Sequence, residues 1–537
     1  MSIFKSVYSS FTRKERIAFL TATAVFIIAL ATRGGMTVSD SGAWVAVPGG
    51  SWREGVVGQP VAINPIISDN PADLDLSRLI YANLLDLAEN LEISDDGKMY
   101  AVKLKEDLLW DNGQRLTADD VVFTVEAIQD PETHSPLAKN WEGVVVERES
   151  EIRVNFSLPA PYAFFKENLA RLPIIPVHIF GGIPKSNLRL SAYNLEPVGS
   201  GPYRLESFSK RKDGFVSDYR LVRNENFAGG RAFIKDFRFV FYESLEKMVK
   251  DFSVRKIHGF GTFSPLSNIL PEGKTTVNRV ASPGFYAVFF NENVNPILKE
   301  DSLRRALSLS VDKRRIVAEV LGNQAEAVFG PLGRWGAGEK LEVGSAYNIE
   351  EAKKEIAKLK KNDITLTVIV PQVDFLERAA EIIKEGWLAA GVKEVNIIPL
   401  PSGELLDNVI KTNNYEALIF GNVLENPLDL FPFWHSSQRF YPGLNLALYR
   451  NQKVDTLIEK VRQSMNEEER QNLAKQAEKI IVEDNPAIFL FSLPYNYVHS
   501  KNLGGFQFEA AGRYIVFPSD RFQKVEEWHT AKARIIE

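Results

Sequence analysis

Residues 364–421 constrain the fold more than any other part of the 537-residue chain, because apolar runs and amphipathic runs alternate through them. The run ITLTVIV at 364–370 is rich in β-branched residues and bounded by polar ones, which reads as a buried strand. Residues 375–390 follow as a helix, with Phe375, Leu376, Ala379, Ile382, Ile383 and Leu388 mostly on one stripe and Gly391 as its C-cap. Then come a strand at 395–400, a short helix at 404–411 and a third strand at 415–421. Strands alternating with helices require a mainly parallel sheet with crossovers, so the fold class is α/β.

A second signal is the string YAVKLKEDLLWDNGQRLTADDVVFTVEAI at 100–128. Tyr100, Val102 and Leu104 alternate with Ala101, Lys103 and Lys105, as in a half-buried strand. Asp111-Asn112-Gly113 supplies turn chemistry, since Asn and Gly tolerate positive φ. Thr117 and Asp120 form a helix start, after which Val121, Val122, Val125 and Ile128 share one face. The literal order, a strand and then W-D-N-G-Q-x-L-T-A-D-D-V-V-F, resembles the signature of the family 5 extracellular solute-binding proteins. These are the peptide- and nickel-type receptors of bacterial ABC importers. The resemblance continues in Gly55-Val-Val-Gly58-Gln-Pro60, in Pro197-Val-Gly199-Ser-Gly201-Pro202-Tyr203, in YAVFFN at 286–291 and in Trp434-His435-Ser436-Ser437, and it spans about residues 55–505.

The resemblance implies a two-lobed, type II periplasmic-binding-protein-like fold with an extra subdomain in the first lobe, preceded by an N-terminal apolar helix. Lobe I is expected at 53–75, 195–285 and 495–537, its extra subdomain at 76–194, and lobe II at 286–494. By matching motifs, the two crossings between the lobes fall near 282–291 and 488–494. Ahead of them come a cytoplasmic N-terminus at 1–16, an anchor or signal segment at 17–37 and a linker at 38–52.

The N-terminal segment leaves two readings open. The apolar run IAFLTATAVFIIALA at 17–31 is preceded by Lys5, Arg13, Lys14 and Arg16, which places the N-terminus inside and the body outside. A retained single-pass anchor in the cell membrane is the favoured reading, since the chain has no cysteine to carry a lipid. Ala29-Leu30-Ala31 also resembles a cleavage site, which would release a periplasmic or secreted protein. The formal net charge is −5, and five bases with one acid lie within the first 35 positions, so the body is more acidic than the whole. An acidic body argues against a nucleic-acid partner.

The search for catalysis returns little. The six histidines are scattered with no second ligand at metal spacing. Gly273-Lys274-Thr275 lacks the upstream glycine of a phosphate loop, and Gly199-Ser200-Gly201 lacks the spacing of a nucleophile elbow. No enzyme, cofactor or metal site is expected. Aromatic walls with a few polar groups suit a ligand cleft instead, and the resemblance puts Tyr286, Asn291, Asn422, Glu425, Trp434 and His435 near it. Some peptide receptors of the family place an aspartate before the Asn/Asp-Pro pair to meet the peptide's amino group. Val423 stands there in this chain, and Glu425 is the candidate substitute. The expectation is a monomeric receptor that closes on a peptide and presents it to two permease subunits and their ATPases. A metal chelate, an oligosaccharide, or a sensor or chaperone role without transport are the alternatives.

Overall fold

The computed structural model describes residues 10–40, 42–266, 270, 275–336, 346–361, 363–508 and 514–536. Two large sheets organise the chain. The first has the strand order β11 (Thr275–Val280), β18 (Tyr495–Ser500), β10 (Gly259–Thr262), β2 (Ser51–Val57), β9 (Asp236–Tyr242), β8 (Val216–Arg223) and β7 (Tyr203–Lys210). The second has the order β13 (Glu326–Ala327), β17 (Ala487–Ser492), β12 (Gly284–Phe290), β16 (Ala417–Val423), β14 (Thr365–Pro371) and β15 (Glu394–Leu400). A four-stranded antiparallel sheet, β3 (Ala88–Ile93), β4 (Met99–Leu104), β6 (Arg153–Ser157) and β5 (Val145–Ser150), forms a subdomain beside the first. A two-stranded ribbon of β1 (Gly42–Ala46) and β19 (Lys532–Ile536) joins the two ends of the body.

Local chemistry explains most elements. Thr117 caps the helix Ala118–Gln129: its N–H donates to the Asp120 carboxylate at 2.9 Å, and its hydroxyl accepts from the Asp119 N–H. β4 alternates exposed and buried side chains, as expected of a strand with one wet face. The helix Asp374–Ala390 ends where Gly391 takes φ +116°, a conformation without steric cost only for glycine. Gly199 and Gly201 have a different reason: a Cβ on either would fall 2.0 and 2.6 Å from the carbonyl oxygens of Ile80 and Leu79. The glycine pair therefore lets one backbone lie directly on another.

The second sheet is covered on both faces. Helices Asp301–Leu309, Ile349–Lys358 and Asp374–Ala390 share one core with Val288, Ile419 and Leu490, whereas Gln452–Gln463 and Glu467–Asp484 share the other with Phe289, Leu418 and Phe489. β12 and β17 are accordingly apolar along most of their length rather than alternating. β14 runs parallel to both β15 and β16, as the alternation in 364–421 requires, while β12 is antiparallel to both its neighbours. The strand expected at 415–421 lies two residues later, because its partner β12 begins at Gly284 and holds Val423 in register.

The chain passes between the two sheets at 281–283, from β11 to β12, and at 493–494, from β17 to β18. The C-terminal stretch returns to the first sheet, where buried Arg521 grips Asp75 with two hydrogen bonds of 2.8 and 2.6 Å and donates to Glu54 at 2.9 Å. The N-terminal segment forms the helix Arg13–Asp40, on which Ile17, Leu20, Val25, Phe26, Ile27 and Leu30 stand exposed. Among the described residues no helix is long and apolar enough to cross a membrane, so the expected single-pass anchor has no support in the structure. Thr21 and Thr23 interrupt the apolar run, and their hydroxyls bond back to the carbonyls of Ile17 and Phe19.

Candidate functional site

In an open α/β sheet a ligand crevice opens beyond the carboxyl ends of the strands, where the strand order reverses. In the second sheet that point lies between β14 and β16, because the chain leaves β14 for β15 on one flank and returns to β16 on the other. In the first sheet it lies at β2, with β9 on one side and β10, reached through the helix Leu245–Ser253, on the other. Val423 at the end of β16 pairs with Gly284, next to one crossing, and Thr262 at the end of β10 pairs with Asn496, next to the other. The two crevices therefore face one another as the sides of a single cleft.

One edge in this cleft is open. β14 pairs with β16 only at Val368↔Ala417 and Ile369↔Leu418, but β16 runs on to Val423. The Asn291 N–H donates to the Glu416 carbonyl at 2.9 Å, which sets the phase of the β12–β16 ladder. In that phase Leu418, Phe420 and Asn422 turn their backbone groups toward β12. Gly421 and Val423 turn theirs the other way, where no described strand pairs with them. Beside this edge the Tyr286 ring lies 5.8 Å from Phe375 and 5.2 Å from Phe491, and burial pushes its hydroxyl pKa up. A Cβ on Gly421 would come within 3.0 Å of the Tyr286 ring, so the glycine makes room for it.

The residues singled out from sequence do not form one cluster. Tyr286 flanks the open edge. Asn422 lies on β16, 3% exposed, with a buried amide nitrogen that has no hydrogen-bond partner among the described residues. Glu425 follows β16 and accepts from the Asn140 amide at 3.1 Å, a contact between the second sheet's side and the subdomain. Trp434 is instead a core residue with no exposed surface, its ring 5.6 Å from Phe489 and 6.0 Å from Tyr449. Asn291 sits at the far end of β12 from the crossing and is occupied locally, donating to the Asn413 carbonyl at 2.8 Å. His435 stacks on Phe431 at 4.2 Å, and its nitrogens lie 2.7 Å from the Ser437 hydroxyl and 3.1 Å from Glu459. Asn291 and His435 are satisfied inside the second lobe, whereas the buried Trp434 indole nitrogen has no hydrogen-bond partner among the described residues.

Other residues carry further contacts across the cleft. Leu266 and Gln324 exchange two hydrogen bonds, at 2.9 and 2.8 Å, between the end of the first sheet and the second lobe. On the subdomain side the Ala163 N–H donates to the Arg462 carbonyl at 2.7 Å, and Lys139 donates to Gln438. Burial lowers the Lys139 pKa. The Arg462 guanidinium is held by Asp429 at 2.8 and 2.7 Å and lies over the Phe431 and Tyr162 rings. The lobes thus stand closed on one another. A cavity of about 270 Å³ remains along the crossings, with Arg279, Ser282, Phe285, Glu326, Arg334 and Trp335 among its walls. No periodic signal marks these residues in the sequence, since they come from segments spread over the chain and meet only through the crossings.

Two sheets joined by two crossings, with facing carboxyl ends, define a two-lobed solute receptor. The chain belongs to the bacterial extracellular solute-binding proteins, family 5, whose middle-region model matches residues 85–440. It is similar to the oligopeptide-binding protein AppA of Bacillus subtilis, 25% identical over 97% of this chain and 99% of AppA. It is likewise similar to the probable D,D-dipeptide-binding periplasmic protein DdpA of Escherichia coli, 25% identical over 79% of this chain and 82% of DdpA. Among solved structures, the ABC transporter substrate-binding protein CtaP of Listeria monocytogenes superposes with a TM-score of 0.78 at 25% identity, covering 90% of this chain and all of CtaP.

Proposed function

We propose that this chain is a non-enzymatic, monomeric receptor of an ABC importer whose cargo is a peptide, bound between the lobes and handed to the permease and its ATPases. The observation that carries the peptide reading is the open edge at Gly421 and Val423. An extended peptide laid there adds a strand, and main-chain hydrogen bonds hold it with little dependence on its side chains. The apolar Tyr286, Phe375 and Phe491 rings beside the edge offer a wall for one side chain. AppA and DdpA, named for oligopeptide and D,D-dipeptide binding, support the same class.

The test is thermal unfolding against a random tetrapeptide pool, a nickel–histidine chelate and an oligosaccharide mixture. A ligand that binds only the folded state stabilises it by about 2.7 kcal/mol at one hundred times its Kd. The peptide pool should raise the melting temperature; a rise with the chelate or the sugars alone would overturn the peptide reading.

Residues 1–40 serve, in this reading, to carry the body to the outer side of the membrane, as a tether or as a removable signal. Mass analysis of the mature protein tests this. A chain beginning at Thr32 in the envelope fraction identifies a signal, an intact chain in the membrane fraction a tether, and an intact chain in the cytoplasm refutes both.

A further inference from the structure

The adjacent residues Phe164 and Phe165 are buried in two different cores. Phe165, at the start of the helix Phe165–Ala170, lies in the core that the first lobe shares with its subdomain, its ring 4.8 Å from Tyr100 and 5.5 Å from Trp141. Phe164 is 3% exposed and sits instead among residues of the second lobe, in one core with Leu424, Leu430 and Phe433. Pro159 and Pro161, whose rings fix φ, stiffen the segment that carries it. The Tyr162 ring stands edge-on to Phe164 at 5.8 Å, and the Ala163 N–H between them donates to the Arg462 carbonyl at 2.7 Å. The Arg462 guanidinium, held by Asp429, lies 5.4 Å from the Tyr162 ring and 4.0 Å from the Phe431 ring, and so links subdomain to second lobe. Arg470 lies over the Phe164 ring at 5.9 Å. Among the described residues the walls of the cavity along the crossings include neither Tyr162 nor Phe164.

We propose that Tyr162 and Phe164 form a closing latch, a plug on the subdomain that the second lobe takes up only in the closed arrangement, and that it sets how tightly every peptide is held without touching one. The proposal rests on the peptide reading above and adds to it the residues that fix affinity separately from selectivity. Parting the lobes must draw the Phe164 ring out of its apolar socket into water, and closing must return it. A receptor whose binding-competent form is a fraction of the population shows its intrinsic Kd divided by that fraction. A ring buried only on closure raises the fraction whatever the sequence of the peptide. Phe165 gives the plug its firm base, since its own core lies wholly on the side of the subdomain and first lobe and does not part when the lobes do.

The test uses the full chain, three tetrapeptide pools biased to apolar, acidic or basic residues, and spin labels on the exposed positions Asp95→Cys and Glu467→Cys. Phe164→Ala should weaken binding of each pool by about tenfold or more, as for an aromatic anchor lost from an interface, and by the same factor for all three. Phe164→Leu, which refills the socket, should keep most of the affinity. Without ligand, Phe164→Ala should cut the short-distance part of the label distribution by about the same factor, because the closed fraction falls with the latch. The melting temperature without ligand should stay nearly unchanged, since the open form already has the ring in water. Unchanged affinity, or unequal losses that make Phe164 a peptide contact, would overturn the latch and leave the peptide reading standing. A large fall in melting temperature would make Phe164 a permanent core residue and overturn it too. Binding of no pool would overturn the peptide reading, and the label distances then decide the latch: an equal short-distance fraction with and without the Phe164 ring overturns it.

Discussion

Asn422 and Trp434 show how far residue types alone locate a site. Both were legible as polar or aromatic residues near a motif that belongs to the cleft, but only the three-dimensional packing says which way each points. Trp434 lies in the four-residue helix Phe431–Trp434, too short for any amphipathic period to betray its inward face. It fills the core beside Phe289 and Phe489. Trp434→Ala should therefore cost about 3–5 kcal/mol of stability with peptide affinity unchanged. Like the Trp434 indole nitrogen, the buried Asn422 amide nitrogen has no hydrogen-bond partner among the described residues, but Asn422 lies on β16 between Gly421 and Val423 of the open edge. Asn422→Ala should leave stability nearly unaltered and weaken peptide binding by roughly 1–3 kcal/mol. Calorimetry paired with denaturant unfolding checks both variants. A stability loss in Asn422→Ala without an affinity loss would make that residue structural.

At the scale of elements the sequence is a better guide, since hydrophobic period and capping chemistry act locally. β14, β15 and the helix between them lie within a residue of where their periodicity puts them, as does the capped helix Ala118–Gln129. What could not be read was β16's upper end, because its length is set by a partner more than one hundred residues away in sequence. The open edge depends on that extra length. Amide hydrogen exchange tests it directly. The Gly421 and Val423 N–H groups should exchange quickly in the free protein and become protected when peptide binds, while the Asn422 N–H, turned toward β12, stays protected throughout. Unchanged exchange at Gly421 and Val423 under saturating peptide would remove the added-strand mode.

At the scale of the whole molecule, the two lobes were implied by resemblance, whereas composition and periodicity pointed only to α/β. The arrangement in space explains why. The two lobes are built from chain segments that leave and return, so β2, β10, β11 and β18 of one sheet come from positions 51 to 500. Nothing in a local window reports such a closure. Among the described residues the lobes are held together by polar contacts of Leu266 with Gln324, Ala163 with Arg462, Lys139 with Gln438 and Asn140 with Glu425, and by Phe164 of the subdomain, which is buried in the second lobe's core with Tyr162 packed beside it. Opening at the crossings breaks these contacts, and a bound peptide that touches both lobes shifts the balance toward closure.

The central claim is that peptide binding closes the lobes, and the absence of cysteine lets it be measured with two site-specific labels. Asp95, exposed on the subdomain, and Glu467, exposed at the start of the helix Glu467–Asp484, lie near the point where Gly97 of the subdomain meets Met465 of the second lobe. Spin labels on Asp95→Cys and Glu467→Cys, read by pulsed electron–electron distance measurement, should give a long and broad distribution in the ligand-free protein. Saturating peptide should collapse it to a single short distance that matches the closed structure. A distribution that is the same with and without saturating peptide would contradict the account.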